Sequence, residues 1–245
     1  TKLTDDSTPL ADRWGGWYVT GRHDGMTHMG NAFAKEAGES IDFDPGKGAN
    51  LTTLRQFFTV ERYPLDQSDI LALMVLEHQV NVHNLLTAAS FNVRAALHRQ
   101  KALETELGLT PVAGLGDSAN RIIQSEAERL AKALLFAEEA KLSSEGVTST
   151  SSFTADFEAR GPRDSQGRSV RDFRLGGRLF KNRCSYLVYS VGFDGLPVEL
   201  KERLSAVMKE ALTGADSRQL AAHIPAEEKQ RIVEILRETK PAFAG

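Results

Sequence analysis

Beyond residue 50 the apolar positions recur at helical spacing. The longest such run, 68–107, contains no Gly or Pro, and Gly108 follows where a left-handed C-cap is expected. Asp66 or Ser68 is placed to cap its start. One face carries Leu71, Met74, Val75, Val82, Leu85 and Ala89, and a second carries Leu73, Leu76 and Val80. A helix apolar on two sides is buried on two sides, so this helix is predicted to be central. Further helices are predicted over 51–58, from Asp117 or Ser118 to about Ala140, over 153–160 and over 183–193. Another runs from Pro197 to about Leu212, and a last one opens at Pro225 and ends before Pro241. Residues 142–152 are rich in Ser and Thr and read as an exposed loop.

The first fifty residues break this pattern. Pro9, Gly15, Gly16, Gly21, Gly25, Gly30, Gly38, Pro45, Gly46 and Gly48 interrupt them too often for a long helix. Residues 17–20 suit a short strand. Trp14, Trp17 and Tyr18 argue against disorder, because disordered segments are poor in aromatics. The expected fold is mainly α: an irregular glycine-rich N-terminal segment (1–50) wrapped on a helical bundle (51–245) with one long buried central helix. No pattern is strong enough to predict a sheet.

Composition narrows the function only by exclusion. A net charge of −3 gives no global attraction to nucleic acid. No run of about 18 apolar residues is present to span a membrane, and the opening residues carry no signal-peptide pattern. The single cysteine, Cys184, rules out an intrachain disulfide, a CxxC zinc site and a CxxCH haem-attachment motif within these residues. Beside Tyr186, Leu187 and Val188 it reads as a small buried apolar residue rather than a nucleophile. No GxSxG, Walker loop or dinucleotide fingerprint occurs.

Candidate chemistry concentrates in WGGWYVTGRHDGMTHMGN, residues 14–31. His23, Met26, His28 and Met29 supply imidazole nitrogen and thioether sulfur, which are ligands for haem iron and for copper. The alternative is that the histidines are loop residues bonded to backbone. His78 falls in line with Met74, Val82 and Leu85 on the apolar face of the long helix. It is either a hydrogen-bonded core histidine or a ligand or acid–base group, with Glu77, Gln79, Asn81 and Asn84 as its supporting shell. His83 lies about 140° further round, so His78 and His83 cannot chelate one ion from a regular helix. Glu77-His78 lacks the second His of HExxH, since Asn81 and Val82 follow. Over 160–183, Arg160, Arg163, Arg168, Arg171, Arg174, Arg178, Lys181 and Arg183 face only Asp164 and Asp172. This stretch is read as a charged loop pairing with acids such as Glu126, Glu128, Glu138 and Glu139, as an anion grip that includes haem propionates, or as a nucleic-acid contact.

WGGWYVTGRHDGMTHMGN, DILALMVLEHQVNVHN, ARGPRDSQGRSVRDF and CSYLVYSVGFDGLP together resemble a bacterial family of exported, cytochrome c-like proteins. The similarity runs over nearly the whole chain. Such families usually carry the haem-attachment motif upstream of WGGWYVTG, so the chain resembles the C-terminal part of that architecture. The resemblance implies a periplasmic or envelope location, a haem-linked redox setting and an upstream haem-bearing segment or partner cytochrome.

Three functions are carried forward. The first is a haem-associated electron-transfer domain, with His23, His28, Met29 or His78 toward the iron and Arg168 and Arg171 toward propionates. The second is a non-haem oxidoreductase holding a single transition-metal ion with a loop histidine such as His28, either His83 or His78, and Glu77. The third is a non-catalytic docking module.

Overall fold

A computed structural model describes residues 4–38, 40–108, 114–214 and 217–243. The protein is mainly helical, with α1 Ile70–Glu106, α2 Asp117–Leu134, α3 Phe153–Ala159, α4 Val191–Asp194, α5 Val198–Thr213 and α6 Ala226–Thr239. Two three-residue strands, β1 Lys35–Ala37 and β2 Ser40–Asp42, form an antiparallel hairpin in which Lys35 pairs with Asp42. No described helix is long and apolar enough to cross a membrane.

The chain divides into two compact units. Unit 1 comprises Thr1–His78, Glu138–Gly161 and Arg171–Lys181, and unit 2 comprises Gln79–Ala137, Pro162–Val170 and Asn182–Gly245. The long helix α1 starts in unit 1 and continues into unit 2 at Gln79. Its start is set by Asp69, not by Asp66 or Ser68. Asp69 Oδ1 accepts from the backbone N–H of Leu71 at 2.8 Å and of Ala72 at 3.3 Å, the N-cap bonds that a helix start lacks. Asp69 Oδ2 accepts from the hydroxyls of Ser149 and Ser151, so the capping residue is itself held by a distant loop. Gly108 ends the helix with φ +59°, as its position suggested.

Burial along α1 corrects the two-faced reading. Ile70, Leu71, Leu73, Met74 and Val75 are all buried, but beyond them the buried set thins to His78, Val82, Leu86, Ala89, Val93 and Ala96. That is one stripe at spacings of three and four. Leu76 and Val80, assigned to the second face, are exposed.

In unit 1 the irregular segment is stitched by backbone hydrogen bonds rather than by a sheet. Thr20 N–H donates to Ser68 O, Ile70 N–H donates to Thr20 O, Gly21 N–H donates to Leu51 O, and Arg22 exchanges both bonds with Thr148. Only Thr20 of the expected 17–20 strand pairs, as a lone parallel bridge to Asp69. The core here is Leu10, Trp14, Val19, Leu54, Val60, Ile70, Leu71 and Met74. A second apolar cluster stacks Phe173 on Phe180 at 5.2 Å, with Phe157 beside both.

In unit 2, α2 packs on α5 and α5 on α6. Ile123, Leu130, Leu134, Leu200, Leu204, Met208, Ile232 and Ile235 fill the space between them. Two expected helices are absent. Residues 51–58 form turns, tied by Leu54 N–H to Asp66 O and by Thr53 Oγ1 to Asp66 Oδ2. Residues 183–193 break into a 3₁₀ turn, Tyr186–Tyr189, and the short α4. The hydroxyls of Ser185 and Ser190 accept from Leu187 N–H and Phe193 N–H, so each serine opens a new turn instead of continuing one helix. Cys184 is fully buried, and burial pushes its thiol up to about 12, as suits an apolar packing residue.

Replacing Asp69 with Ala removes the α1 cap and strands two buried-side hydroxyls. The Asp69→Ala protein is expected to lose about 2 kcal/mol of stability, read as a lower urea midpoint at unchanged slope.

Candidate functional site

The candidate site lies in unit 1, where the N-terminal segment meets the first two turns of α1. Its frame is Arg13, which is 3% exposed. Nε donates to Thr8 O at 2.8 Å, one terminal nitrogen donates to Asp6 O at 3.1 Å, and the other pairs with Glu77 Oε2 at 2.9 Å. A buried guanidinium needs its charge matched and its donors used, and these three acceptors do both. On the next residue of α1, His78 Nδ1 donates to Asp6 Oδ2 at 2.6 Å. His78 is fully buried, with the edge of its ring toward Phe180 at 6.3 Å. Glu77 and His78 thus hold the segment that begins at Asp6.

That segment then presents Trp14, His23 and His28 together. His23 and His28 are each 1% exposed, their ring centroids are 4.8 Å apart, and the Trp14 ring meets His28 edge-on at 5.6 Å. His23 is fully employed. Its Nδ1 donates to Met26 O at 2.7 Å, and its Nε2 accepts from Asn50 N–H at 3.1 Å. A carbonyl can only accept and an amide N–H can only donate, so the tautomer follows from the partners. His28 differs, because its buried Nδ1 has no hydrogen-bond partner.

The electrostatics follow from burial. His28 is lowered to about 4, first by burial and then by the neighbouring His23, with the Gly30 backbone pulling weakly the other way. His23 is lowered too, by burial against the Met26 carbonyl. Glu77 is raised to about 7 by burial, against the pull of Arg13. The Trp14 indole N–H favours the ionised Glu77 carboxylate but has no hydrogen bond of ordinary geometry.

The backbone here is forced. Of seven non-glycine residues with positive φ among the described residues, four belong to this neighbourhood: Trp14 at 66°, Asp24 at 47°, Asn31 at 60° and Asn50 at 55°. Asn and Asp visit this region readily, but a bulky Trp does not. Asn31 accepts from Val19 N–H at 2.8 Å and donates to Val19 O at 2.6 Å and Gly48 O at 2.9 Å, so one side chain replaces a strand partner. The glycines permit close approach rather than mobility. A Cβ on Gly30 would stand 2.5 Å from Val19 Cγ2 and 3.1 Å from His28 Nδ1, and one on Gly48 would stand 2.6 Å from Gly30 O.

The remaining candidates disperse. Met29 is 37% exposed, and Met26 Sδ accepts from Ser143 N–H at 3.3 Å. His83 is exposed. Of the proposed supporting shell, Glu77 takes Arg13 and Gln79 accepts from Tyr186 OH at 3.0 Å. Among the described residues, no three or more His, Cys, Asp or Glu side chains stand together in a way that could hold a metal ion. Arg168, in unit 2, is committed to Asp164 and Glu234. Arg171, in unit 1, lies over the Phe157 ring at 4.5 Å. Arg183 grips Glu228 through its backbone N–H and its guanidinium. Arg168 and Arg183 thus pair with acids other than the four glutamates expected, whereas Glu139, one of those four, accepts from the backbone N–H of Leu179 within the stretch at 2.9 Å. Glu126 instead meets Asn92 and Arg129, and Glu128 meets Arg218.

Sequence reasoning missed Asp6, Arg13 and Asn50 as members of this site. Comparison with known protein families, curated proteins and solved structures finds no match.

The residues fit a haem only narrowly. His23 has both ring nitrogens in hydrogen bonds, His78 Nδ1 is held by Asp6 and Arg168 is engaged by Asp164 and Glu234, while His28 Nδ1 is a buried ring nitrogen without a hydrogen-bond partner.

Opposed pH dependences follow. Folding depresses His28 from 6.5 to about 4, so the folded state binds fewer protons between those values and loses stability as pH falls through them. Folding raises Glu77 from 4.5 to about 7, so the folded state binds more protons there and loses stability as pH rises through that window. Each contribution reaches up to about 3 kcal/mol, and the two offset each other between pH 4.5 and 6.5. Relative to the parent, Glu77→Gln should fall in stability more steeply on acidification from pH 7 to 4.5, and His28→Leu less steeply. Urea melts across that range measure both slopes.

Proposed function

We propose that the chain is a haem-associated redox domain of an exported cytochrome-like protein, with His28 as the iron ligand it contributes. One observation carries this reading: His28 is a buried imidazole, neutral down to about pH 4, whose Nδ1 has no hydrogen-bond partner. Metal ligation requires a deprotonated imidazole nitrogen, and an environment that keeps His28 neutral supplies one over the whole physiological range. The resemblance of residues 14–31 to exported cytochrome c-like proteins supports the same reading, with the haem borne by an upstream segment or a partner cytochrome. When bound, the haem supplies one-electron exchange.

The chain's own residues orient and enclose the ligand. Trp14 and His23 both pack against the His28 ring. The Met26 carbonyl and the Asn50 amide fix His23 in turn, as outer partners do around metal-ligating histidines. The Arg13–Glu77 and Asp6–His78 contacts anchor this assembly on α1. The exposed His83 stands outside it.

Titrating the purified chain with ferric haem tests the reading. The parent should develop a shifted Soret band that His28→Leu loses and His83→Ala keeps. An unperturbed haem spectrum with excess parent protein would overturn the proposal. So would a Soret band that persists in folded His28→Leu.

A further inference from the structure

We infer that unit 2 holds a binding site for an aliphatic dicarboxylate, in the cavity between the end of α5 and one face of α6. The cavity measures about 500 Å³, within the roughly 300–1,000 Å³ of small-molecule sites. Leu212, Ile224 and Val233 give it an apolar lining. Among the described residues its charged lining is Lys229, Glu234 and Arg237, all from α6. A neighbouring void of about 60 Å³ shares Leu212, Val233 and Arg237 with it and adds a further cation, Lys209.

The charge selects the ligand. Glu234 is already matched within the protein: its Oε2 accepts from Arg168 at 2.8 Å and its Oε1 from Gln230 Nε2 at 3.0 Å. Those two bonds hold its carboxyl below the usual range, so it stays ionised and occupied. Lys229 and Arg237, by contrast, pair with no carboxylate among the described residues. Arg237 is exposed and Lys229 half-buried, so both are open to a ligand from solvent. Two unmatched cations on one lining complement two negative charges. They stand eight residues apart on α6, about 12 Å along the axis at about 1.5 Å per residue, with Val233 midway. An apolar stretch between two cations suits methylene groups, which gain by leaving water, between two carboxylates, which gain charge-assisted hydrogen bonds. Suberate, with six methylene groups, covers most of that span when extended. The opposite wall includes Thr213 and Gly214 at the end of α5, where the last carbonyls of a helix disfavour an anion. Both carboxylates therefore lie on the α6 side.

Isothermal titration calorimetry of the full chain with suberate tests this. The expected result is saturable binding of one suberate per chain. Octanoate has the same carbon chain without the second carboxylate, and it should bind about tenfold more weakly. Lys229→Gln and Arg237→Gln should each bring suberate down to about the octanoate level. Circular dichroism should stay unchanged in both, since neither side chain is buried. Arg121→Gln, at an exposed position on α2, should leave suberate binding intact. The proposal is overturned if suberate shows no saturable binding, or if octanoate binds as tightly. It is equally overturned if the folded Lys229→Gln and Arg237→Gln proteins bind suberate as the parent does, or if Arg121→Gln weakens binding as much as they do.

Discussion

Unit 1 depends on one buried charge. Arg13 is almost wholly out of water, and a guanidinium in that position is tolerated only with its donors matched. Its three partners come from three places: Thr8 and Asp6 just upstream, and Glu77 on the second turn of α1. Satisfying Arg13 therefore joins the irregular segment to the helix. The neighbouring Asp6–His78 bond repeats the connection one residue further along α1. A segment too rich in glycine to form its own regular structure is given a single conformation by polar contacts with a helix that has one.

The helices were legible wherever local signals agreed. The long run without Gly or Pro, Gly108 after it, Pro197 and Pro225 at helix starts and Gly214 at a helix end all marked α1, α5 and α6 to within a few residues. The reading failed where side chains competed for the backbone. Residues 51–58 have helical apolar spacing at Leu51, Leu54, Phe57 and Phe58, yet Thr53 and Leu54 spend their bonds on Asp66. Residues 183–193 are apolar enough for a helix, but two serines cap successive turns. The hairpin of β1 and β2 carries only three residues per strand, below what alternation can reveal.

The site was half legible for a different reason. The density of His, Met and Trp in residues 14–31 pointed to the right stretch, and His23 and His28 do meet, buried, within it. Which of the two keeps an open nitrogen was not readable, because the deciding partner of His23 is Asn50, 27 residues away. Arg13 and Glu77 are 64 positions apart, and nothing local to either announces the pair. The glycines were read only as interruptions of a helix. Gly30 and Gly48 serve close packing, which depends on what sits opposite and not on their neighbours in the chain.

The cost of the arrangement gives it meaning. His28 Nδ1 and Trp14 Nε1 are both buried without hydrogen bonds, and their rings are in contact. A buried polar atom left unpaired costs about 1–3 kcal/mol, and a bulky residue at positive φ adds about 1–2 kcal/mol more. Trp14 bears both burdens at once. Nothing in packing alone demands them, since an apolar ring in place of His28 would fill similar space without an orphaned nitrogen. Strain and unsatisfied groups gathered on two touching residues mark a functional centre better than either would alone. In the haem-linked reading proposed above, a metal taking up the His28 Nδ1 lone pair would relieve the orphan, a role that an imidazole and not a phenyl ring can serve there.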